Sequence, residues 1–248
     1  MNKNNTYIIA EMAWSHNGEL SNALTLLDGA EKAGANAISI HITSMNDYMV
    51  KDYKCIAGQT LSSNTDTEED TIFNILNKLN LEANDWLVFD KSLRQKNIDL
   101  LVMANDYPSF EFSKKLHVTA YVLSPASFQE YNVIDEMANS QKPIYLRTGG
   151  ATLSEVREVL MRIKYKAPSL KITLLAGIQL YPTPIGELRL RSLKSLRNEF
   201  RDMNLHFGLA DHIDGDNPYA KYLPSLALGF GATVLEKHIT TNRSEKLE

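Results

Sequence analysis

Among 248 residues there is one cysteine, Cys55, which excludes an intrachain disulfide and any zinc site built from several thiolates and fits a reducing compartment. Cys55 reads as an ordinary thiol rather than a nucleophile. A basic excess is missing as well. Lys and Arg total 26 against 30 Asp and Glu, a formal net charge of −4, so neither nucleic acid nor an anionic membrane is offered an electrostatic footprint. A small molecule is the default partner. The opening MNKNNTYIIAEM lacks an apolar run of signal-peptide length, and no later stretch approaches roughly 18 uninterrupted apolar residues. The expectation is a cytoplasmic protein with no nucleic-acid and no membrane partner.

What the sequence does have is alternation. Apolar runs of strand length recur between helical patterns: YIIAEM (7–12), AISIHI (37–42), DLLVMA (99–104), TAYVL (119–123), PIYLRT (143–148), KITLLA (171–176), LHFGLA (205–210) and ATVLEK (232–237). Eight strands alternating with helices predict an α/β fold, a TIM (β/α)8 barrel occupying residues 1–248 as one catalytic domain. One helix face carries Leu20, Ala23, Leu24, Leu27 and Ala30. A second carries Leu153, Val156, Leu160 and Ile163, opened by a Thr152 to Glu155 capping box and closed before Pro168. A third uses Leu193, Leu196 and Phe200. Residues 43–66 make a long polar connection rich in Ser, Thr and Asn, the profile of a lid-like loop. After the eighth strand, residues 243–248 leave the last helix missing or truncated. The barrel is then open on one side, covered by a neighbour, or part of a longer protein, and Leu247 with Glu248 is either native or a cloning scar.

In a parallel barrel the residues just past the strand ends converge on one rim, where active sites are built. Here those positions are unusually polar: Glu11, His41, Asn105, Asp106, Ser124, Arg147, Thr148, Gln179, Tyr181, Asp211, His212, Glu236 and His238. His212 in GLADH and His238 in LEKH follow adjacent strands, so their rings either share a divalent metal or each cap a strand by hydrogen bonding. Two imidazoles with water or substrate oxygens suit Mn, Fe, Co or Zn, with Mg less favoured; Asp211 and Glu236 would ligate directly or orient the imidazoles. Glu11, in an otherwise apolar strand, is costly to bury without a partner and reads as a site residue. Asn17 and Gly18 are either a turn or part of the site. YPTP (181–184) is either a stiff turn or a wall that fixes the substrate.

The stretches IIAEMAWSHNGEL, GAEKAGANAISIH, KPIYLRTGGATLSEV, LYPTP, FGLADH and LGFGATVLEKHITTNRS, in that order from residue 7 to residue 244, resemble the sialic acid synthase (N-acetylneuraminate synthase) family. The resemblance implies a barrel that condenses phosphoenolpyruvate with an N-acyl hexosamine-type aldehyde sugar, releasing phosphate and giving a nonulosonic (sialic-type) acid. It implies that His212 and His238 hold a divalent metal, commonly Mn, that polarises the sugar aldehyde, with Glu11 on the sugar side and Glu236 beside the second ligand. Family members also carry a C-terminal antifreeze-like domain that covers the partner's site in a swapped dimer. None is present in this sequence, although a homodimer is still expected.

The departures from the family pattern concern the donor. Ser39 stands for a phosphate-binding lysine, His41 for a glutamine, Tyr121 or Val122 for a second lysine, and Ala126 for a catalytic acid, while Ser124 keeps a serine. MANDYP replaces an STPF-like segment, and Ala210 replaces a serine before the first metal histidine. Arg147 and Arg189 appear where the family has a serine and an asparagine. Arginine binds carboxylate or phosphate bidentately, so an anion would bind in a changed pose unless both pair with acids such as Asp106 or Glu187. The expected site therefore has Glu11, Glu236 and Asp211 as catalytic groups. Arg147, Arg189, Asn17, His41, Asn105, Ser124, Gln179 and Tyr181 would contact phosphoenolpyruvate or another small anion and an amino sugar, and His212 and His238 a metal. The alternatives are a related metal-dependent aldolase or lyase acting on another carboxylate and an inactive sugar- or anion-binding homologue.

Overall fold

Successive residues of a strand point to opposite faces, so closing a sheet into a barrel sends one set inward and the other under the helices. In the computed structural model, which describes residues 6–51 and 71–243, the strands are β1 (Tyr7–Ala13), β2 (Ala37–Ile42), β3 (Asp99–Ala104), β4 (Ala120–Leu123), β5 (Ile144–Arg147), β6 (Ile172–Ala176), β7 (His206–Asp211) and β8 (Val234–His238). Around them stand α1 (Leu20–Lys32), α2 (Met45–Tyr48), α3 (Ile72–Leu79), α4 (Ala83–Leu93), α5 (Tyr107–Ser113), α6 (Tyr131–Asn139), α7 (Leu153–Lys166), α8 (Arg191–Glu199) and α9 (Leu223–Gly229). The strands pair in parallel in sequence order and β8 closes on β1, the expected TIM barrel.

The inner set includes Ile9, Leu101, Val122, Leu175, Ala210 and Val234, a buried cluster of its own. The outer set, among them Ile38, Leu100, Val102, Leu174 and Leu209, belongs to a larger core with Leu27, Phe89, Phe110, Ile134, Leu160 and Leu196 of the helices. At the lower end Tyr7 stacks on Tyr145 and donates its hydroxyl to Asp99. Gly208 is required where β7 meets β8, since a Cβ there would lie 2.5 Å from the Val234 carbonyl oxygen and 2.7 Å from Leu175 Cδ2.

The differences from expectation are local. The eighth strand begins at Val234, not at residue 232, because the Ala232 N–H bonds the Ala227 carbonyl and is consumed by the end of α9. The Thr152 and Glu155 capping box opens α7, but Leu153 is 48 % exposed and Val159 takes the buried position instead. In α1, Leu26 is buried while Leu24 is only partly so. Residues 43–51 of the lid-like connection hold the short α2; residues 52–66, with Cys55, lie outside the described residues, as do residues 244–248. Among the described residues no helix follows β8, and an apolar groove of about 390 Å³ lined by Ile8, Leu26, Ala30 and Ile239 runs beside it. No helix among the described residues is long and apolar enough to cross a membrane.

Candidate active site

Inward parity carries Glu11, His41, Arg147, Glu236 and His238 to the upper rim of the barrel, and His212 follows at the end of β7. The backbone bends at the end of β1, where the register shifts between Glu11 and Ala13 and Ala13 takes a φ of 42°. That bulge turns the Ala13 N–H back onto Glu11 Oε1 at 2.9 Å. Glu11 Oε2 is paired with Arg147 Nη2, the same nitrogen lies 3.0 Å from Glu236 Oε1, and His41 Nε2 lies 3.4 Å from Glu11 Oε1. All three members of the Glu11, Arg147, Glu236 triad are buried.

One guanidinium cannot hold two carboxylates equally charged away from water. Burial pushes Glu11 up, but Arg147, then His41 and His238, outweigh it and hold the carboxyl down at about 2. Glu236 goes the other way: burial raises it, Arg147 opposes, and the charge on Glu11 adds to the rise. The two carboxyls are thus pushed in opposite directions, Glu11 on β1 downward and Glu236 on β8 upward.

Across the rim the His212 and His238 rings lie 5.0 Å apart between centroids at 76°. His212 Nδ1 donates to the Ile178 carbonyl at 2.6 Å, which leaves Nε2 as the nitrogen with a lone pair, and that nitrogen accepts from the Tyr181 hydroxyl at 2.9 Å. Gln179 Nε2 in turn donates to the Tyr181 oxygen at 3.2 Å. Burial, then the neighbouring His238, lowers His212 to about 3 and keeps it neutral. A neutral imidazole with its second nitrogen fixed by a carbonyl is what a metal ligand requires. Among the described residues no group of three or more His, Cys, Asp and Glu is placed to hold a metal, and the facing imidazoles of His212 and His238 are the nitrogen donors that the rim offers.

Several expected residues are elsewhere. Asp211 points to the outer face, because Ala210 and His212 on either side of it face inward; it pairs with Lys237 Nζ at 2.7 Å and accepts from the Ile213 N–H. It is not part of the rim cluster. Arg189 is also outside: its side chain is 78 % exposed and its partner is Glu187 at 3.6 Å. Asp106 caps α5 through Ser109 N and holds Ser44 N, each at 2.8 Å, and pairs with neither arginine. Asn17 forms the turn into α1 with a φ of 53°. Asn105, buried at the end of β3, donates to Thr43 Oγ1. Ser124 is buried at the end of β4, and no hydrogen bond joins its hydroxyl to the cluster.

Two residues beyond the expected set extend the rim. Trp14 meets His41 edge-on at 6.0 Å, and buried His16 meets Trp86 at 5.5 Å. The bulge at Ala13, invisible to strict alternation, is what swings both toward β2. Buried polar atoms without a hydrogen-bond partner among the described residues include Ser15 Oγ, His16 Nε2 and Arg147 Nε.

Comparison with known proteins agrees with the architecture. The NeuB family profile matches residues 26–247. The N,N'-diacetyllegionaminic acid synthase of Legionella pneumophila is 28 % identical over 241 residues, 96 % of this chain and 65 % of that protein. The pseudaminic acid synthase of Helicobacter pylori is 26 % identical over 96 % of this chain and 66 % of its own length. The chain thus spans a little under two thirds of the length of these relatives. Among solved structures, the N-acetylneuraminic acid synthetase of Leptospira borgpetersenii in complex with citrate superposes with a TM-score of 0.79 at 24 % identity, covering 97 % of this chain and 75 % of that one.

Proposed function

The chain belongs to the NeuB family, and on that premise we propose that it forms a carbon–carbon bond between an enolpyruvyl donor, phosphoenolpyruvate, and the aldehyde carbon of an N-acylated hexosamine-type sugar, giving a sialic-type acid. The observation that carries the reading is the convergence on one rim of a split carboxylate pair, Glu11 and Glu236, with the facing imidazoles of His212 and His238.

Mn²⁺ or a similar divalent ion held by His212 and His238 would supply Lewis-acid polarisation of the aldehyde. The remaining work falls to the chain. Charge develops on the sugar oxygen as the donor's enol carbon attacks, and again at the donor's second carbon until water adds there and phosphate leaves; groups fixed in advance stabilise such charge at little reorganisation cost. Ionised Glu11, held by Arg147 and Ala13 N–H, orients sugar hydroxyls and stabilises positive charge at the donor carbon. Glu236, whose carboxyl is raised by burial, would serve as the proton donor to the alkoxide that forms, and Trp14 and His41 wall the acceptor side.

A specific feature favours a second reading. Arg147 is the cation that replaces a family serine, yet its Nη2 is already engaged by Glu11 and Glu236, while its buried Nε has no hydrogen-bond partner among the described residues. A site of that kind suits a singly charged carboxylate better than a phosphate dianion, the condition for an aldolase or lyase acting on another keto acid. Phosphate release from phosphoenolpyruvate with Mn²⁺ and a panel of N-acyl hexosamines separates the two. Release that disappears in His212→Ala supports the synthase; no release across the panel, with cleavage of a sialic-type acid instead, supports the second reading.

A further inference from the structure

At the end of the barrel opposite the rim, α8 runs into a short turn at Arg201–Met203, Asn204 reverses the chain with a φ of 48°, and β7 begins at His206. The reversal places Arg197, Arg201 and His206 around one concavity of about 320 Å³ that Phe207, Gly231 and Thr233 also line. Three nitrogen-bearing side chains therefore line one open concavity, with no acid among its lining residues.

The charge there is poorly neutralised. Arg197 has one hydrogen bond, a long one of 3.5 Å from Nη1 to the Phe230 carbonyl, and no carboxylate among the described residues pairs with it. Arg201 has only its exposed neighbour Asp202, at 3.7 Å. Nearby Glu199 is taken by Arg157. His206 is lowered by burial and by Lys171, so it meets an anion as a neutral N–H donor within a positive surround. Arg197 is also held in place. Its guanidinium lies on Gly231, where a Cβ would come within 1.9 Å of Nη1, and Gly231 itself has a φ of 91°. A guanidinium seated on backbone with most of its N–H groups uncommitted loses little conformational freedom on binding.

We propose that this concavity is a second ligand site, for a phosphate or a small phosphomonoester, with Arg197 and Arg201 clamping the oxyanion and His206 donating to it. Planar guanidinium forks match two oxygens of a tetrahedral oxyanion at once, the geometry that a surface lysine cluster lacks. The volume is at the small end of ligand pockets, which suits a phosphate or phosphomonoester and not a polymer. Being on the face away from the rim, the site would act on barrel stability or regulation rather than on the chemistry, and it holds under either reading of the reaction.

The test is thermal unfolding and calorimetric titration of the whole chain with inorganic phosphate and, separately, with a hexose 6-phosphate, both at constant ionic strength against chloride. The expected result is saturable binding to the wild type, weakened at least tenfold in Arg197→Gln/Arg201→Gln and unchanged in Arg191→Gln, an exposed arginine on the same helix. Tighter binding of the hexose phosphate than of phosphate identifies the monoester as the ligand; equal binding identifies the bare oxyanion. A response that chloride reproduces, or phosphate binding that survives the double change, overturns the proposal.

Discussion

Arg147 shows how a single residue can be found in sequence and still be misread. Its position at a strand end was legible; its partners were not, because Glu11 and Glu236 come from strands far away in the chain and only barrel closure brings them to it. Asp211 is the opposite case. Once His212 faces inward, a period of two sends Asp211 outward to Lys237, so its exclusion from the site could have been read from the sequence. Arg147→Met leaves two carboxylates buried without their cation and should destabilise the fold by about 3–5 kcal/mol, read from urea unfolding, because breaking a buried pair costs far more than the pair was worth. Adding Glu11→Gln and Glu236→Gln removes the stranded charges and should recover most of that loss; no recovery would mean that Arg147 acts by packing alone. At His212 the Tyr181 hydroxyl occupies the nitrogen that a metal would need. A net hydrogen bond is worth about 1 kcal/mol, so Tyr181→Phe should tighten Mn²⁺ binding roughly fivefold by calorimetry. His212→Ala should abolish that binding. If Tyr181→Phe weakens it instead, the phenol supports the metal site rather than capping it.

At the scale of elements, strands were legible almost residue by residue because each is a short apolar run bounded by polar turns, and a barrel offers no ambiguity about which strand pairs with which. Helix faces were legible less sharply. The face through Leu153 failed at its first residue because N1 of a helix that starts at a capping box projects past the edge of the sheet, and Val159 fills the space within. The bulge at Ala13 left no mark, since a small apolar residue is what strict alternation would also place there. The α7 cap provides a clean measurement: Thr152→Ala removes the side chain that accepts from Glu155 N and should cost about 1 kcal/mol, whereas Leu153→Ser, on an exposed position, should change stability by less than about 0.5 kcal/mol. Gly208→Ala is the severe case within β7. Its methyl would press on backbone of the neighbouring strand, which cannot retreat without opening the barrel, and a loss of more than about 3 kcal/mol is expected.

The molecule as a whole stores charge-sensitive groups in its interior, and their signs decide how it meets acid. His16 is buried and lowered by burial, then by His41, to about 4, while its Nδ1 accepts the Gly18 N–H at 3.2 Å and so requires the neutral ring. His212, at about 3, is held neutral by the same burial. Both bind protons more readily in the unfolded chain, where imidazole titrates near 6.5. Their contribution is therefore complete above pH 6.5 and is lost as pH falls toward 4 and then 3. Glu11 adds a second loss with the same sign, beginning near its ordinary 4.5 and ending near 2. Glu236, raised by burial, works oppositely: its contribution is present below 4.5 and fades as pH climbs through its folded value, so it blunts the neutral side of the profile without reversing the acid side. The midpoint of thermal unfolding should accordingly drop in two overlapping stages on acidification, the first from pH 6.5 toward 4 for His16 and 3 for His212 and the second below 4.5 from Glu11. His16→Gln, which keeps an acceptor near Gly18 but cannot titrate, should shrink the first stage and leave the second in place. Calorimetry from pH 3 to 8, with the His16 ring followed by NMR, checks both. A single acid transition below 4.5, or a His16 ring that titrates near 6.5 in the folded protein, would show that the interior around β1 admits water and does not enforce the neutral imidazole on which the turn into α1 depends.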